Sequence, residues 1–303
     1  MKTPYHTIAD LHQSSSQASA TAADCGVAAT GAVADCLDAP LSNRASNKCN
    51  GDVFLLLSRH IDSLELSFRG DLAPEWEQVI CEAKLRAKDR DPAKQALAQV
   101  NINDRCFLVH DKGYGLFSYV LADADYRLTI SSSISRKLPL AWCQIRNRHL
   151  LTVGPQKATE ELLTLLHRIG NVYPPETVSR VDLAVDFVTD VNLESWNRDA
   201  WVTRMRDKDS HSQGDKFTGW TIGKRGPLSF GLYDKTHEVR TQSTDKADYL
   251  YELWDQASWA PWDTVWRAEF RYKRSVLDQF ALKTLPDVLS HLNGLWRYAT
   301  HNA

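Results

Sequence analysis

The chain has 303 residues, a hydrophobic fraction of 43% and a formal charge of −2, which is enough apolar material for one large or two small globular cores. Near-neutral charge argues against a protein whose whole surface coats nucleic acid. No apolar run approaches the ~18 residues of a membrane span, so no membrane is expected. Six cysteines lack a CxxC pair or the spacing of a zinc site or disulfide framework, and a cytoplasmic protein with reduced thiols is expected.

Residues 14–51 are dominated by Ser, Ala, Thr, Gly, Asp and Asn. Such a stretch cannot bury enough surface to offset the entropy of ordering, so residues 1–51 are expected to be a disordered tail and 52–303 the folded domain. In HIDSLELSF, Leu64, Leu66 and Phe68 alternate with polar residues as in a half-buried strand. Residues 73–100 have a helical pattern broken near Pro92. Strands are expected in CFLVHDKGYGLFSYVLAD, YRLTISSS and WCQIRNRHLLTVG. A helix in KATEELLTLLHRIG then leads through Pro174 and Pro175 to the strand SRVDLAVDF. Next come a hairpin, FTGWTIG to LSFGLYDK, a Trp-rich helix and loop, the strand WRAEFRYKR and terminal helices. Strand-rich runs with hairpin connections predict α+β: antiparallel sheets with helices packed on one side. Two similar α+β halves are compatible with this pattern, although no internal repeat is visible.

Three late strands alternate an apolar row with a reactive one. In SRVDLAVDF the second row is Arg180, Asp182, Ala184 and Asp186; in WRAEFRYKR it is Arg267, Glu269, Arg271 and Lys273; in LSFGLYDK it is Ser229, Gly231, Tyr233 and Lys235. In one sheet, Asp182, Asp186 and Glu269 offer hard oxygen ligands suited to Mg²⁺ or Mn²⁺. Tyr233 offers a hydroxyl that needs a metal or neighbouring cation for activation, because a free tyrosine ionises only near pH ~10. Lys235 is the nearest such cation in sequence. The GKRG turn sets Lys224 and Arg225 between glycines, where the backbone can approach phosphates. Further basic groups gather at Arg136, Lys137, Arg146 and Arg148, and at Arg204, Arg206, Lys208 and Lys216. The alternative is that the charged rows are cross-strand ion pairs and the tyrosine a packing residue. Tyr249, Tyr251, Trp254, Trp259, Trp262 and Trp266 could stack on unpaired bases, but core or subunit packing is the better account of them.

HIDSLELSF, SRVDLAVDF, GKRGPLSFGLYDKTHE and WRAEFRYKR, in this order, resemble the replication initiation factor family of rolling-circle plasmids and filamentous phages, related to nicking relaxases of integrative elements. The resemblance implies that Tyr233 attacks a phosphodiester at an origin to give a 5′-phosphotyrosyl link. It implies that Lys235 assists, that Asp182, Asp186 and Glu269 hold Mg²⁺ or Mn²⁺, and that Lys224, Arg225, Arg180 and Arg267 contact DNA. Implied partners are origin DNA, a host helicase and polymerase, and a second copy in a homodimer. Two positions depart from the family pattern: Gly231 stands where some members carry a basic residue, and Thr152 where some carry an acid. A relaxase, or a DNA-binding protein that no longer cuts, would share these features.

Overall fold

The computed structural model describes residues 54–135, 137–257 and 259–301. The expected tail, the thiols of Cys25, Cys36 and Cys49, and Arg136 lie outside the described residues. The fold is mixed α+β and divides into two compact units. The first comprises Ile61–Asp182 and Tyr272–Leu285; the second comprises Leu183–Arg271, Pro286 onward and the described residues up to His60. Two long strands, β1 (Phe54–Leu72) and β7 (Gly170–Thr189), contribute residues to both.

In the first unit β1 is followed by helices α1 (Pro74–Ala87) and α2 (Pro92–Ala96). Strands β2 (Gln99–Ile102), β3 (Arg105–Val109), β4 (Tyr119–Ala122), β5 (Tyr126–Ile130) and β6 (Ala141–Arg146) come next. Their order, β2-β3-β4-β5-β6-β1, is antiparallel at every step. The register lines up Val109, Leu121, Leu128, Cys143 and Leu66 in one row, and all five are buried. Helices α3 (Asn147–Val153) and α4 (Pro155–Ile169) complete the unit. Tyr126 Oη donates to the Ala158 carbonyl at 2.8 Å and Tyr119 Oη to Glu77 at 3.1 Å, which ties α4 and α1 to the same sheet face.

Two expectations need correction here. The helix expected to reach residue 100 ends at Ala96, and β2 begins at Gln99. Pro92 starts a fresh turn, for which the Asp91 side chain accepts from the Ala93 amide at 2.9 Å. The end of WCQIRNRHLLTVG is helix rather than strand, because His149 and Leu150 both turn inward, a spacing no strand allows. Thr152 bonds back to the Arg148 carbonyl at 2.8 Å and holds no strand position.

In the second unit come β8 (Lys208–Gln213), β9 (Lys216–Ile222), β10 (Leu228–Asp234), α5 (Lys235–Thr241), α6 (Ala247–Asp255) and β11 (Val265–Lys273). The strand order is β7-β11-β10-β9-β8. The edge strand β8 was not expected, since KDSHSQ has no apolar alternation to betray it. One face packs Leu193, Trp220 and Leu232 with Phe187, Trp201, Phe217, Phe230 and Trp266. The other carries the charged rows, and it is covered rather than open. Asp186 and Arg267 are both 0% exposed. Arg267 donates through Nε to one Asp186 oxygen at 2.6 Å and through Nη2 to the other at 2.8 Å. Trp254 Nε1 from α6 and Ser58 Oγ from β1 also donate to Asp186, at 2.9 and 3.1 Å. Burial alone would push this carboxyl up, but the Arg267 guanidinium and the Trp254 donor hold it below the ordinary carboxylate range.

A depressed carboxyl stabilises the fold fully above the unfolded value of about 4, and that contribution is lost as pH falls through the folded value. Asp186→Asn leaves the Arg267 charge buried without its counter-ion, at a cost of about 3–5 kcal/mol. Urea denaturation at neutral pH and near pH 3 checks both points: the variant should be much weaker at neutral pH and lose less on acidification. Equal midpoints for parent and variant at neutral pH would reject this role.

Candidate functional site

Tyr233 is the penultimate residue of β10, on the face opposite Leu232 and Phe230. Its hydroxyl donates to Glu269 Oε2 on β11 at 2.8 Å. Glu269 is 8% exposed and also accepts from Arg271 Nη2 at 3.3 Å. A tyrosine hydroxyl directed onto a carboxylate has a proton acceptor already in place, the arrangement needed for general-base activation.

Lys235 is not on the strand, as the alternation had implied. The strand stops at Asp234, whose carboxylate accepts from the His237 amide at 2.7 Å and caps α5, so Lys235 is the first helical residue. The helical turn folds its ammonium back over the Tyr233 ring, 5.6 Å from the centroid. It is 2% exposed and ion-paired with Glu238. Burial would raise the Glu238 carboxyl, but Lys235, the Ser243 hydroxyl and Lys246 hold it below the usual range. The Tyr-x-Lys-x-x-Glu spacing thus has a physical basis: the i, i+3 partners of the first helical turn close beside the tyrosine ring. Lys216 on β9 pairs with Asp234 at 2.6 Å, adding a cation to the same end of the hairpin.

The backbone also makes room for Tyr233. Gly219 pairs with it across β9 and β10 and adopts φ +146°. A Cβ there would lie 2.1 Å from the Leu232 carbonyl oxygen, 2.7 Å from Tyr233 Cα and 2.9 Å from its Cβ. Sequence reasoning passed over this residue, although a glycine inside the strand FTGWTIG is a signal of close backbone approach. At Gly231 a Cβ would meet only the edge of the Tyr233 ring, at 3.6 Å.

Other expected site residues lie elsewhere or are already engaged. Arg267 is enclosed with Asp186, so it presents no guanidinium to a phosphate outside the fold. The Asp186 oxygens are taken up by Arg267, Trp254 and Ser58 and do not fit the role of a metal ligand. In the first unit Asp182 is 1% exposed and sits in the fork of Arg180, whose Nη1 also donates to Glu65 at 3.0 Å. The ion-pair alternative accounts for Arg180 and Asp182 as it does for Arg267 and Asp186. Lys224 and Arg225 are exposed at the β9–β10 turn, with Arg225 at φ 67°. They are not beside Tyr233: from Leu228 to Tyr233 the strand alone runs ~17 Å, at ~3.3 Å per residue. Among the described residues no three His, Cys, Asp or Glu side chains converge as a metal site. Tyr251, Trp254 and Trp259 pack on one another, with ring centroids 5.1–5.7 Å apart, and serve the interior.

No protein-family model matches the chain. It is similar to the uncharacterized protein ORF430 of Pseudomonas phage Pf1, with 31% identity over 102 residues. The match covers 26% of this chain and 23% of that protein, so the chain spans about a quarter of the length of its phage relative. No helix among the described residues is long and apolar enough to cross a membrane.

Gly219→Ala should therefore drive a methyl into the Leu232 carbonyl and the adjoining Tyr233 backbone. The added methyl forces the β9–β10 pair apart at a positive φ, at a cost of about 1–3 kcal/mol. Ala at Gly214, where an added Cβ would meet no atom within 4 Å and φ is +58°, supplies a comparison with strain but no clash. Thermal melts of both variants check this, and a Gly219→Ala melt no lower than that of Gly214→Ala would refute it.

Proposed function

We propose that the protein is a DNA strand-nicking enzyme of the replication-initiator type, with Tyr233 as its nucleophile. The observation that carries this reading is the 2.8 Å hydrogen bond from the Tyr233 hydroxyl to Glu269, beside the Lys235 ammonium. In this reaction Tyr233 Oη attacks the phosphorus as Glu269 accepts the hydroxyl proton. The bond from phosphorus to the 3′-oxygen breaks, and that oxygen takes a proton from water. The products are a free 3′-hydroxyl and a 5′-phosphate esterified to Tyr233. The bond count is unchanged, so the 3′-hydroxyl can reverse the step without ATP. Lys235, though paired with Glu238, places positive charge beside the forming phosphotyrosine.

Of the expected metal ligands, Glu269 is the one in contact with the tyrosine, and a hard divalent ion needs only one or two carboxylates when phosphate oxygens complete its shell. When bound, Mg²⁺ or Mn²⁺ would supply charge stabilisation at the phosphate. The similarity to a phage protein supports a mobile-element setting, in which origin DNA, a host helicase and polymerase, and a second copy of this chain would be the partners.

Tyr233→Phe should keep fold and DNA affinity while abolishing nicking of supercoiled origin DNA and the covalent protein–DNA adduct. Glu269→Gln retains a hydrogen-bond acceptor but not the base, and should slow nicking by about 10²–10⁴-fold. An adduct that persists in Tyr233→Phe, or maps to another residue, would overturn the assignment. Lys224 and Arg225 would hold backbone phosphate. Replacing both by Ala should weaken binding to matched and unmatched DNA alike and reduce the salt slope by up to ~2; altered sequence preference at an unchanged slope contradicts this.

A further inference from the structure

The first unit carries a second surface suited to nucleic acid. Helices α1 and α4 occupy one face of its sheet, and the opposite face holds Leu108 on β3, Arg127 and Thr129 on β5, and Trp142, Gln144 and Arg146 on β6. Register sets Thr129 opposite Trp142 and Arg127 opposite Gln144. The β3–β4 loop folds its tip over this face. Tyr114 and Phe117 close the tip with reciprocal backbone hydrogen bonds of 3.1 and 3.0 Å, and Gly115 takes the left-handed conformation that the turn requires. The Tyr114 ring thereby lies on Trp142, with centroids 5.6 Å apart and planes inclined by only 6°. The Arg127 guanidinium sits over the Tyr114 ring, 5.5 Å from its centroid.

Three details distinguish this stack from core packing. Tyr114 is 52% exposed and its neighbour Leu116 is 79% exposed, so the tip is a wet cover rather than an interior element. Arg127 has no carboxylate partner among the described residues, and neither does Arg146, two positions beyond Gln144 on the same face. Thr129, wholly buried and paired opposite Trp142, has a hydroxyl with no hydrogen-bond partner among the described residues. The one acid in this row, Glu65 opposite Gln144, is taken by Arg180.

We propose that Trp142 is a stacking platform for an unpaired base of single-stranded DNA, with Tyr114 occupying the place of that base in the free protein. A near-parallel tyrosine–tryptophan stack has the geometry of a base on an indole, so one planar ring replaces the other. Arg127, released from Tyr114, and Arg146 neutralise the flanking phosphates. Antiparallel sheets bind single strands by stacking bases on aromatic side chains, and such stacking tolerates any sequence. The site is independent of Tyr233 and of any cutting.

The test is binding of a fluorescent 12-mer of thymidylate, which contains neither origin nor duplex, to the full chain. Trp142→Ala should weaken it about tenfold or more. Arg127→Gln, which leaves the indole in place and covers the case of a Trp142 variant that fails to fold, should weaken it and lower the salt slope by about 0.7. Tyr114→Ala removes the competing ring, so it should bind as tightly as the parent or more so. Parental affinity in a folded Trp142→Ala or in Arg127→Gln overturns the platform, and weaker binding in Tyr114→Ala overturns the exchange. Parallel nicking assays separate the two sites: a chain that nicks but fails these tests lacks only the platform, and one that passes them without nicking lacks only the tyrosine chemistry.

Discussion

A guanidinium and a carboxylate can share a dry interior only if each neutralises the other, and the second unit is organised around that condition. Arg267 and Asp186 meet in a two-pronged contact, and Trp254 and Ser58 both donate to the carboxylate oxygen that Arg267 Nη2 reaches. The pairing joins β7 to β11 and brings α6 down over the polar side of the sheet. Glu269 stands two residues beyond Arg267 on β11, on the same side. Its aim at Tyr233 therefore depends on a strand whose position is set by the buried pair. Such pairs add little net stability compared with apolar packing, but they strongly disfavour arrangements in which either charge is left alone.

Around the tyrosine the chain uses short-range geometry. Asp234 ends the strand and starts a helix in one step, which brings Lys235 back over the ring instead of continuing along the sheet. Glu238 then confines the ammonium from the other side. Gly219 removes the side chain that would compete with the Tyr233 backbone for space. These devices hold one phenol in one orientation without a long loop.

Much of this was legible in the sequence, because the period of two along β7, β10 and β11 assigns each side chain to a face without knowledge of the partner strand. Alternation says nothing about what lies over that face. The alternation leaves Asp186 and Arg267 facing outward, since no local signal reveals that Trp254, 68 positions from Asp186, covers that carboxylate. Lys235 departs from its row for a different reason: the alternation runs on past Asp234, an aspartate that is also a good helix cap. The polar edge strand β8 and helix α3 escaped because tertiary pairing, rather than hydrophobic period, decides their state.

The hairpin that carries Tyr233 also has a length. Its basic turn and its tyrosine are at opposite ends of β10, separated along the strand by ~17 Å, and stacked base pairs advance about 3.4 Å each. In the proposed reaction, a duplex lying along the hairpin would be gripped roughly five base pairs from the phosphate that is cut. The strand then acts as a ruler: lengthening each strand of the hairpin by two residues would move the grip by about two base pairs without touching the chemistry.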